Sequence, residues 1–261
     1  MENKKIWITG ASSGIGKALA IDYSKRNTVL ILSSIDSDGL EEVKKICESN
    51  GSESHAYPFD LGDEVQLRKV ANEVLQKFEY VDVLINNGGI SQRAYAFETD
   101  FSVDRKIMEV NFFSAVLLTK MVLPKMIERK KGNIVALSSI NGKFGFFLRS
   151  AYSASKHAIF GFFETLHMEL KDKGINVTVV VPGRINTNIS SHALKKDGKE
   201  YNKRDKAQAE GMSAEKCAKI IVKAIEKNKK EILVGKNEIL MVHVKRLFPR
   251  IFNRIITKIK H

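Results

Sequence analysis

Seven short apolar runs alternate with longer amphipathic segments along most of the chain. The apolar runs lie within KKIWITG, TVLILS, ESHAYPFD, VDVLINN, GNIVALSS, GINVTVVVPG and EILVG. The segments between them space their apolar residues as helices do, as in EVQLRKVANEVLQKF. Because most of the runs are continuously apolar, they are typical of parallel strands that are buried on both faces of a sheet. The pattern predicts one α/β domain, a doubly wound parallel sheet of about seven strands with helices on both faces.

Two segments fall outside this pattern. Residues 184–212 are polar, rich in lysine and weakly periodic, and a connection of that length inside a compact domain is usually a lid or disordered. Residues 237–261 follow the last predicted strand and are basic and amphipathic. The expected organisation is therefore a domain over residues 1–236, with a lid at 184–212, and a C-terminal extension over residues 237–261.

Composition narrows the class of protein. Lysine and arginine total 43 against 30 acidic residues, a formal charge of +13, and the excess is concentrated after about residue 195. Such a surface either attracts anionic ligands over a long range or is an ordinary solvated face. The two cysteines, Cys47 and Cys217, lie in no CxxC motif or Cys/His cluster, which argues against a disulfide framework or a metal site. No motif that reads nucleic acid accompanies the charge, so no nucleic-acid partner is expected.

The cysteine usage favours a reducing compartment. The chain enters an apolar strand almost at once, in MENKKIWITG, so no signal peptide is expected. No apolar run is predicted to reach the roughly 18 to 20 residues that span a bilayer. We expect a cytoplasmic protein, at most peripheral at a membrane.

Three glycines mark the turn between the first strand and the first helix. In TGASSGIG, Gly10, Gly14 and Gly16 allow a tight turn and a close approach of the backbone to a ligand. The N-terminus of a helix that starts there favours a pyrophosphate, because its free N–H groups point outward. The spacing is GxxxGxG and not the GxGxxG of the larger dinucleotide-binding fingerprint. In this strand–turn–helix context the motif predicts nucleotide binding.

A phenol and an ammonium group are predicted to share one helical face in SAYSASKHAIF. Tyr152 and Lys156 are four residues apart, which places both side chains on the same side of a helix. Alone, such a pair is usually part of a solvated face. A cation beside a tyrosine, however, favours the phenolate and lowers a pKa that is otherwise about 10. With Ser139 at the predicted carboxyl end of a strand, where ligands of such sheets bind, the pair becomes a candidate proton donor.

Further motifs match one enzyme family in their order and spacing. They are TGASSGIG, NNGG at 86–89, Asn111, Ser139, YSASK at 152–156 and PGRINT at 182–187. On these motifs the chain resembles the short-chain dehydrogenase/reductase family over at least residues 4–235. The segment SSINGKFGFFLRSAYSASKHA and the basic tail are similar to a lipid- and steroid-oriented branch whose members are often membrane-associated. The resemblance implies a Rossmann-type fold and an NAD(P)-dependent oxidoreductase that interconverts a carbonyl and a secondary alcohol.

The resemblance also implies roles for individual residues. Tyr152 would be the general acid in reduction and the general base in oxidation, and Lys156 the cation that lowers its pKa. Ser139 would bond the substrate oxygen, and Asn111 would hold a water that links Lys156 to solvent. The expected cofactor-binding residues are Gly10, Ser12, Ser13, Gly14, Ile15, Gly16, Ser34, Asp60, Leu61, Asn87, Gly88, Tyr152, Lys156, Pro182, Gly183 and Thr187. Gly88 departs from the family, which usually has alanine there, and the missing methyl predicts looser packing.

The end of the second strand, LILSSIDSDG, bears on the choice between NADP and NAD. An acidic residue there would bind the ribose hydroxyl of NAD, whereas a basic residue would accommodate the phosphate of NADP. Ser34 occupies the acidic position and Ile35 the place where an arginine often follows. The absence of a carboxylate at Ser34 leaves room for a phosphate, but Asp36 or Asp38 would favour NAD if either turned inward. We predict NADP, with NAD as the alternative.

The substrate is inferred from apolar residues between Ser139 and Tyr152. These residues predict a pocket for a hydrophobic carbonyl compound of the lipid, steroid or retinoid kind, or else they pack in a core or a subunit interface. They are Phe144, Phe146, Phe147 and Leu148. The alternative functions are a 3-ketoacyl reductase, whose basic lid would meet an acidic carrier protein, and a non-catalytic nucleotide-sensing protein.

The tail KRLFPRIFNRIITKIK predicts a basic amphipathic helix. Arg246, Arg250, Arg254 and Lys258 recur every four residues, and apolar residues fill another face. The pattern is typical of a membrane-surface contact, here through residues 245–261, or of a helix that folds back over the substrate pocket or a partner subunit. The long helices around Asn111 and Tyr152 are apolar on more than one face, which predicts a homodimer or homotetramer.

Overall fold

A parallel sheet of seven strands forms the centre of the protein. The computed structural model describes residues 3–259. Its strands are β1 (Lys4–Thr9), β2 (Thr28–Ser33), β3 (Glu53–Ala56), β4 (Val83–Asn86), β5 (Gly132–Leu137), β6 (Ile175–Pro182), β7 (Ile185–Asn186), β8 (Met212–Ser213) and β9 (Glu231–Val234). The central sheet has the order β3-β2-β1-β4-β5-β6-β9 with parallel neighbours, while β7 and β8 form a separate short pair. The predicted Rossmann-type α/β fold is confirmed.

Helices cover both faces of the sheet. They are α1 (Gly14–Ser24), α2 (Ser37–Ser49), α3 (Glu64–Phe78), α4 (Phe101–Met108), α5 (Ser114–Arg129), α6 (Ser150–Leu170), α7 (Lys206–Ala209), α8 (Ala214–Glu226), α9 (Leu240–Leu247) and α10 (Pro249–Ile256). Successive strand residues face opposite sides, so Ile6 and Ile8 pack with α1, α2 and α8. Trp7, between them, packs on the other face with α3, α5 and α6. Strand β1 is therefore buried on both faces.

The segment Phe101–Arg129 is one continuous helical stretch. It consists of α4, a π-helical turn at Glu109–Phe113, and α5. By length and composition it is apolar enough to cross a bilayer, with a mean hydropathy of 1.4 over its most apolar window, whereas the sequence analysis predicted no such run. Half of that window is buried inside the fold, and Leu118 and Val122 pack in the core. Its packing is that of a core helix.

The C-terminal extension forms two helices, whereas the sequence predicts one. α9 ends at Leu247 and α10 begins at Pro249, with Phe248 between them at φ −133° and ψ 61°. A proline ring disfavours helical backbone in the residue before it, which breaks the helix at Phe248. Residues 260 and 261 of the predicted extension, and residues 1 and 2 of the predicted domain, lie outside the described residues.

The predicted lid, residues 184–212, is irregular apart from β7, α7 and β8. Its middle is bound to the loop after β4 by backbone hydrogen bonds. The N–H of Arg93 donates to the carbonyl of Leu194 (2.8 Å), and the N–H of Leu194 donates to the carbonyl of Ser91 (2.8 Å). The lid is thus bonded to a loop that follows a central strand.

Candidate active site

The turn between β1 and α1 requires its glycines. Gly10 and Gly14 have φ values of +64° and +54°, in the left-handed region that favours glycine. A Cβ on Gly16 would lie 2.1 Å from the carbonyl oxygen of Gly10, so the start of α1 packs directly on the turn. Ser12 and Ser13 complete the turn, and the next side chain, Ile15, packs against the core on that face. The glycines therefore leave the backbone without Cβ atoms at the N-terminus of α1, where a bound pyrophosphate needs a close approach.

Asn87 joins this turn to the end of β4. Its side-chain amide donates to the carbonyl oxygens of Thr9 (2.9 Å) and Gly10 (3.2 Å). The hydroxyl oxygen of Thr9 accepts from the backbone N–H groups of Asn87 (3.1 Å) and Gly88 (3.0 Å). These bonds connect β1 to β4, where the strand order reverses, and ligands of open α/β sheets bind at such a reversal.

Leu61 fills the space that the missing methyl at Gly88 leaves. A Cβ on Gly88 would lie 2.3 Å from Cδ1 of Leu61. The looser packing that the sequence predicted is therefore not found at this position. Asp60, beside Leu61, is half-buried and accepts from the N–H of Gly62 (2.8 Å), within the loop after β3 that Leu61 brings against Gly88.

The end of β2 presents hydroxyl groups and no inward carboxylate. The hydroxyls of Ser34 and Ser12 are 2.8 Å apart. Asp36 is exposed, and its carboxylate accepts from the N–H of Gly39 (3.0 Å) as the N-cap of α2. Asp38 is exposed in the first turn of the same helix. Helix capping explains why the carboxylate of Asp36 is directed to α2, although the N–H of Asp36 donates to the hydroxyl of Ser34 (3.3 Å).

Tyr152 is half-buried near the start of α6, and the hydroxyl of Ser139 lies against it. Burial raises the pKa of Tyr152 above 10.0, while hydrogen bonding to Ser139 and the charge of Arg149 act in the opposite direction. Ser139 accepts from the N–H of Asn141 (3.2 Å), which leaves its own proton free to donate. The lowered pKa that the sequence predicts for Tyr152 is not found, because burial outweighs the effects that oppose it, while the stabilisation of the phenolate by Lys156 stays a prediction.

Lys156 is 5% exposed and lies behind the phenol. Its Nζ is 5.9 Å from the centroid of the Tyr152 ring and donates to the carbonyl of Leu137 (2.8 Å), at the end of β5. Burial lowers the pKa of Lys156 from 10.5 to about 8. A Cβ on Gly89 would lie 3.5 Å from the same Nζ, so the ammonium group reaches the loop after β4.

Asn111 lies in the π-helical turn and is 2% exposed. Its amide nitrogen donates to the carbonyl of Ile90 (2.9 Å) and the hydroxyl of Ser155 (3.0 Å), and its amide oxygen accepts from the N–H of Ile90 (2.8 Å). Both amide hydrogens of Asn111 are thus bonded within the protein, while its amide oxygen can accept a second hydrogen bond. The predicted role of Asn111 in holding a water for Lys156 stays a prediction, and π-helical turns are frequent at functional sites.

The segment after β6 completes the rim of the site. Pro182 ends β6, and the N–H of Gly183 donates to the carbonyl of Val234 (2.8 Å). Thr187 lies beside the glycine-rich turn, because a Cβ on Gly14 would be 3.1 Å from its Cγ2. Three close approaches thus bring these segments together around one edge of the sheet. They join Gly10 and Gly88, Gly89 and Lys156, and Gly14 and Thr187.

A cleft with a cavity volume of about 140 Å³ leads to Tyr152 and Ser139. Phe144 and Phe146 line it as the sequence predicted, but Phe147 does not and packs instead on Tyr95, with ring centroids 5.4 Å apart. Residues of the C-terminal extension also line the cleft. They are Met241, Ile256 and Ile259. The extension therefore folds back over the candidate pocket.

Three polar residues beside Tyr152 were missed by the sequence analysis. Gln92 is fully buried and accepts, through its side-chain oxygen, from the N–H of Ala151 (2.8 Å) in the first turn of α6. Arg149 and Asp205 form a buried ion pair (3.0 Å) at the cleft. A polar residue within an unpatterned loop gives no sequence signal of its partner, so only the fold brings these groups together.

Comparisons with known proteins agree with this geometry. A family profile described as short chain dehydrogenase matches residues 4–198. The rat (Rattus norvegicus) protein named dehydrogenase/reductase SDR family member 7B is 43% identical over 263 residues, which cover 98% of this chain and 81% of that protein.

Two solved structures share the fold. One is a short-chain dehydrogenase/reductase from Burkholderia phymatum in complex with NAD, at TM-score 0.84, 22% identity and 95% coverage of each chain. The other is a short-chain dehydrogenase from Sphingobium yanoikuyae in complex with NADPH, at TM-score 0.80 and 22% identity, covering 99% of this chain and 97% of that one. Since the profile covers most of the chain and the rat relative nearly all of it, the chain belongs to the short-chain dehydrogenase/reductase family of oxidoreductases.

Proposed function

We propose that the protein interconverts a carbonyl group and a secondary alcohol with NADP as cofactor, and that it works as a reductase at neutral pH. The observation that carries this proposal is the juxtaposition of Tyr152 and Ser139 in the lining of the cleft, with the Nζ of Lys156 5.9 Å from the centroid of the Tyr152 ring. Because burial raises the pKa of Tyr152, the phenol stays protonated at neutral pH and is ready to donate.

The residues at the sheet edge fit a nicotinamide dinucleotide. The bare glycine-rich turn before α1 suits a pyrophosphate, and the hydroxyls of Ser12 and Ser34 suit the phosphate of NADP better than a carboxylate would. Asn87, Gly88, Pro182, Gly183 and Thr187 would hold the remainder around the same edge. When bound, the dinucleotide supplies or accepts the hydride. The two solved relatives with NAD and with NADPH support the class of cofactor.

Ser139, Tyr152 and Lys156 have separate roles in proton transfer to the substrate. Ser139 donates a hydrogen bond to the carbonyl oxygen of the substrate, and Tyr152 transfers its proton to that oxygen as negative charge develops. Lys156, held by Leu137, stabilises the phenolate that remains, and its pKa of about 8 allows it to take part in returning the proton. Asn111 positions the loop at Ile90 and the Ser155 turn of α6 around Lys156.

We further propose a hydrophobic substrate of the lipid, steroid or retinoid kind. Phe144, Phe146, Ile256 and Ile259 give the cleft apolar walls on the side of the extension and of the loop before α6. Polar residues line the rest of it, among them Ser139, Arg184 and Gln208. The test is turnover of NADPH with decan-2-one, a steroid ketone and retinal against dihydroxyacetone at matched concentration. Faster turnover of the hydrophobic compounds is expected, and faster turnover of dihydroxyacetone would contradict the proposal.

The outward face of the extension supports contact with an anionic membrane surface. Leu247, Phe248 and Ile251 are 65%, 57% and 51% exposed, although Phe252 beside them is buried. Four cations flank this apolar face, and no acidic residue follows Glu238 in the sequence. They are Arg246, Arg250, Arg254 and Lys258. Replacing all four with glutamine should abolish sedimentation with phosphatidylserine vesicles, and sedimentation equal to that of the unaltered protein would contradict the membrane contact.

We propose that a second copy of the chain packs against the exposed apolar residues of α5 and α6. Phe113, beside α5, is 49% exposed, Ile127 is 39% exposed, and Met168 on α6 is 65% exposed. These helices also form the core, so a dimer or tetramer would bury their outer faces as the fold buries their inner ones. Light scattering should give a dimeric or tetrameric mass, and a monomeric mass at high concentration would contradict this assembly.

A further inference from the structure

A carboxylate of the lid joins two arginines beside Tyr152. Asp205 accepts from Arg93 through both oxygens (2.7 Å each) and from Arg149 (3.0 Å). Arg149 also donates to the hydroxyl of Ser91 (2.7 Å) and to the carbonyl of Gln92 (2.5 Å). The side chains of Arg93, Arg149 and Asp205 are only 11%, 10% and 15% exposed. Both terminal nitrogens of Arg149 therefore donate to acceptors on the lid or on the loop after β4.

Arg149 immediately precedes the helix that carries Tyr152. α6 begins at Ser150, and Gln92 accepts from the N–H of Ala151 in its first turn. The same loop after β4 thus binds the guanidinium of Arg149 and caps the first turn of α6. A displacement of Arg149 would also displace the Tyr152 side chain, because Tyr152 lies in that first turn.

We propose that Arg149 is a positioning residue for Tyr152 and that Asp205 holds it in place from the lid. The position of the lid and the position of Tyr152 are then coupled through the ion pair between Asp205 and Arg149. The assignment of Tyr152 as proton donor rests on the proposed function, whereas the link between Asp205 and the lid does not.

The charges around the pair agree with this role. The charge of Arg149 lowers the pKa of Tyr152 against the effect of burial. Burial lowers the pKa of Arg149 itself, and Asp205 opposes that effect, as does Tyr152. The other charged or titratable groups that act on Arg149 are Arg93 and Tyr201, and Arg93 lies 5.0 Å from the Tyr201 ring of the lid. Lys156, one turn along α6, faces Tyr152 at 5.9 Å from its ring.

The first experiment asks whether Asp205 holds the lid. The Asp205→Asn variant leaves two largely buried guanidinium groups without their counter-charge, so trypsin should cut the lid about tenfold faster. The exposed trypsin sites there are Lys196, Lys199, Lys203, Arg204 and Lys206. Asp197→Asn is the matched control, since Asp197 is an exposed lid carboxylate whose ion pair, among the described residues, is with Lys199 (3.5 Å). Equal cleavage of both variants would overturn the role of Asp205.

The second experiment measures the phenol directly and needs no substrate. The protein is labelled with 3-fluorotyrosine, and the fluorine resonance of position 152 is identified by its loss in Tyr152→Phe. Arg149→Met should raise the pH midpoint of this resonance by about one unit. Arg149→Lys, which keeps the charge, should raise it less, and it serves as the test if the methionine variant does not fold. A purely structural role would lower thermal stability without moving the midpoint, so an unchanged midpoint in the folded variants overturns the proposal.

The two proposals fail in different ways. Full activity in Tyr152→Phe would contradict the proposed function, but a shifted midpoint in Arg149→Met would still support the positioning role of Arg149. An unshifted midpoint, together with loss of activity in Tyr152→Phe, would keep the proposed function and remove the positioning role.

Discussion

Phe252 of α10 lies against Phe144 of the candidate cleft, with 5.0 Å between the ring centroids. Both side chains are buried, at 4% and 3% exposure, although most of α10 is exposed. Lys245 also donates to the carbonyl of Lys143 (2.6 Å), which gives a second attachment on the same side. The C-terminal extension is thus one wall of the cleft, and this contact decides whether the wall stays in place.

Phe252→Ala should detach α10. Loss of a buried phenylalanine costs about 3 kcal/mol, and here it falls on a short helix with few other buried side chains. We expect backbone amides of residues 249–256 to exchange with deuterium much faster, while β1 and β4 keep their protection. Ile251→Ala, at a position that is 51% exposed, is the matched control and should leave exchange unchanged. Equal exchange in both variants would show that the contact with Phe144 does not hold the helix.

Gly88→Ala should destabilise the protein even though it restores the usual residue of the family. The added methyl would lie 2.3 Å from Cδ1 of Leu61, and the overpacking should cost about 1 kcal/mol because the end of a leucine side chain can rotate away. Chemical unfolding of Gly88→Ala, Leu61→Ala and the double variant measures this. The double variant should be more stable than the sum of the single losses predicts, and strict additivity would rule out the clash.

Lys156 should make the protein more stable as the pH rises. Its pKa is about 8 when folded and 10.5 when unfolded, so the unfolded chain binds more protons between these values. The free energy of unfolding should therefore rise by about 2 kcal/mol from pH 7.5 to 9.5 on account of this residue. The raised pKa values of Cys47 and Cys217 act in the opposite direction, so the effect is measured as the difference from Lys156→Met. If the difference in the free energy of unfolding between the two proteins did not change with pH, the pKa of Lys156 would not be lowered by folding.

The sequence was sufficient to predict the fold and to name candidate residues that the structure brings to one edge of the sheet. The alternation of short runs, most of them continuously apolar, with amphipathic segments located all seven strands of the sheet. The glycine-rich turn, Ser139, Tyr152 and Lys156 lie in positions that bring them to one edge. These features are local in sequence, or follow from the rule that parallel strands place their carboxyl ends together.

What the sequence did not predict depends on contacts between distant segments. The balance of effects on the pKa of Tyr152 came out wrong because burial depends on the folded surroundings. Leu61 filling the space at Gly88, and Asp205 joining Arg93 and Arg149, connect loops that no periodic pattern relates. The break at Phe248 could have been read from the proline that follows it.

The role of Tyr152 is tested most directly by Tyr152→Phe. The variant is compared with the unaltered protein in NADPH turnover, on whichever ketone of the panel reacts fastest, and in NADPH binding followed by fluorescence of Trp7, the single tryptophan. Removal of one hydroxyl should lower kcat by about 10²–10⁴-fold and leave the Kd for NADPH nearly unchanged. Turnover that survives the substitution at its original rate would contradict the assignment of Tyr152 as proton donor.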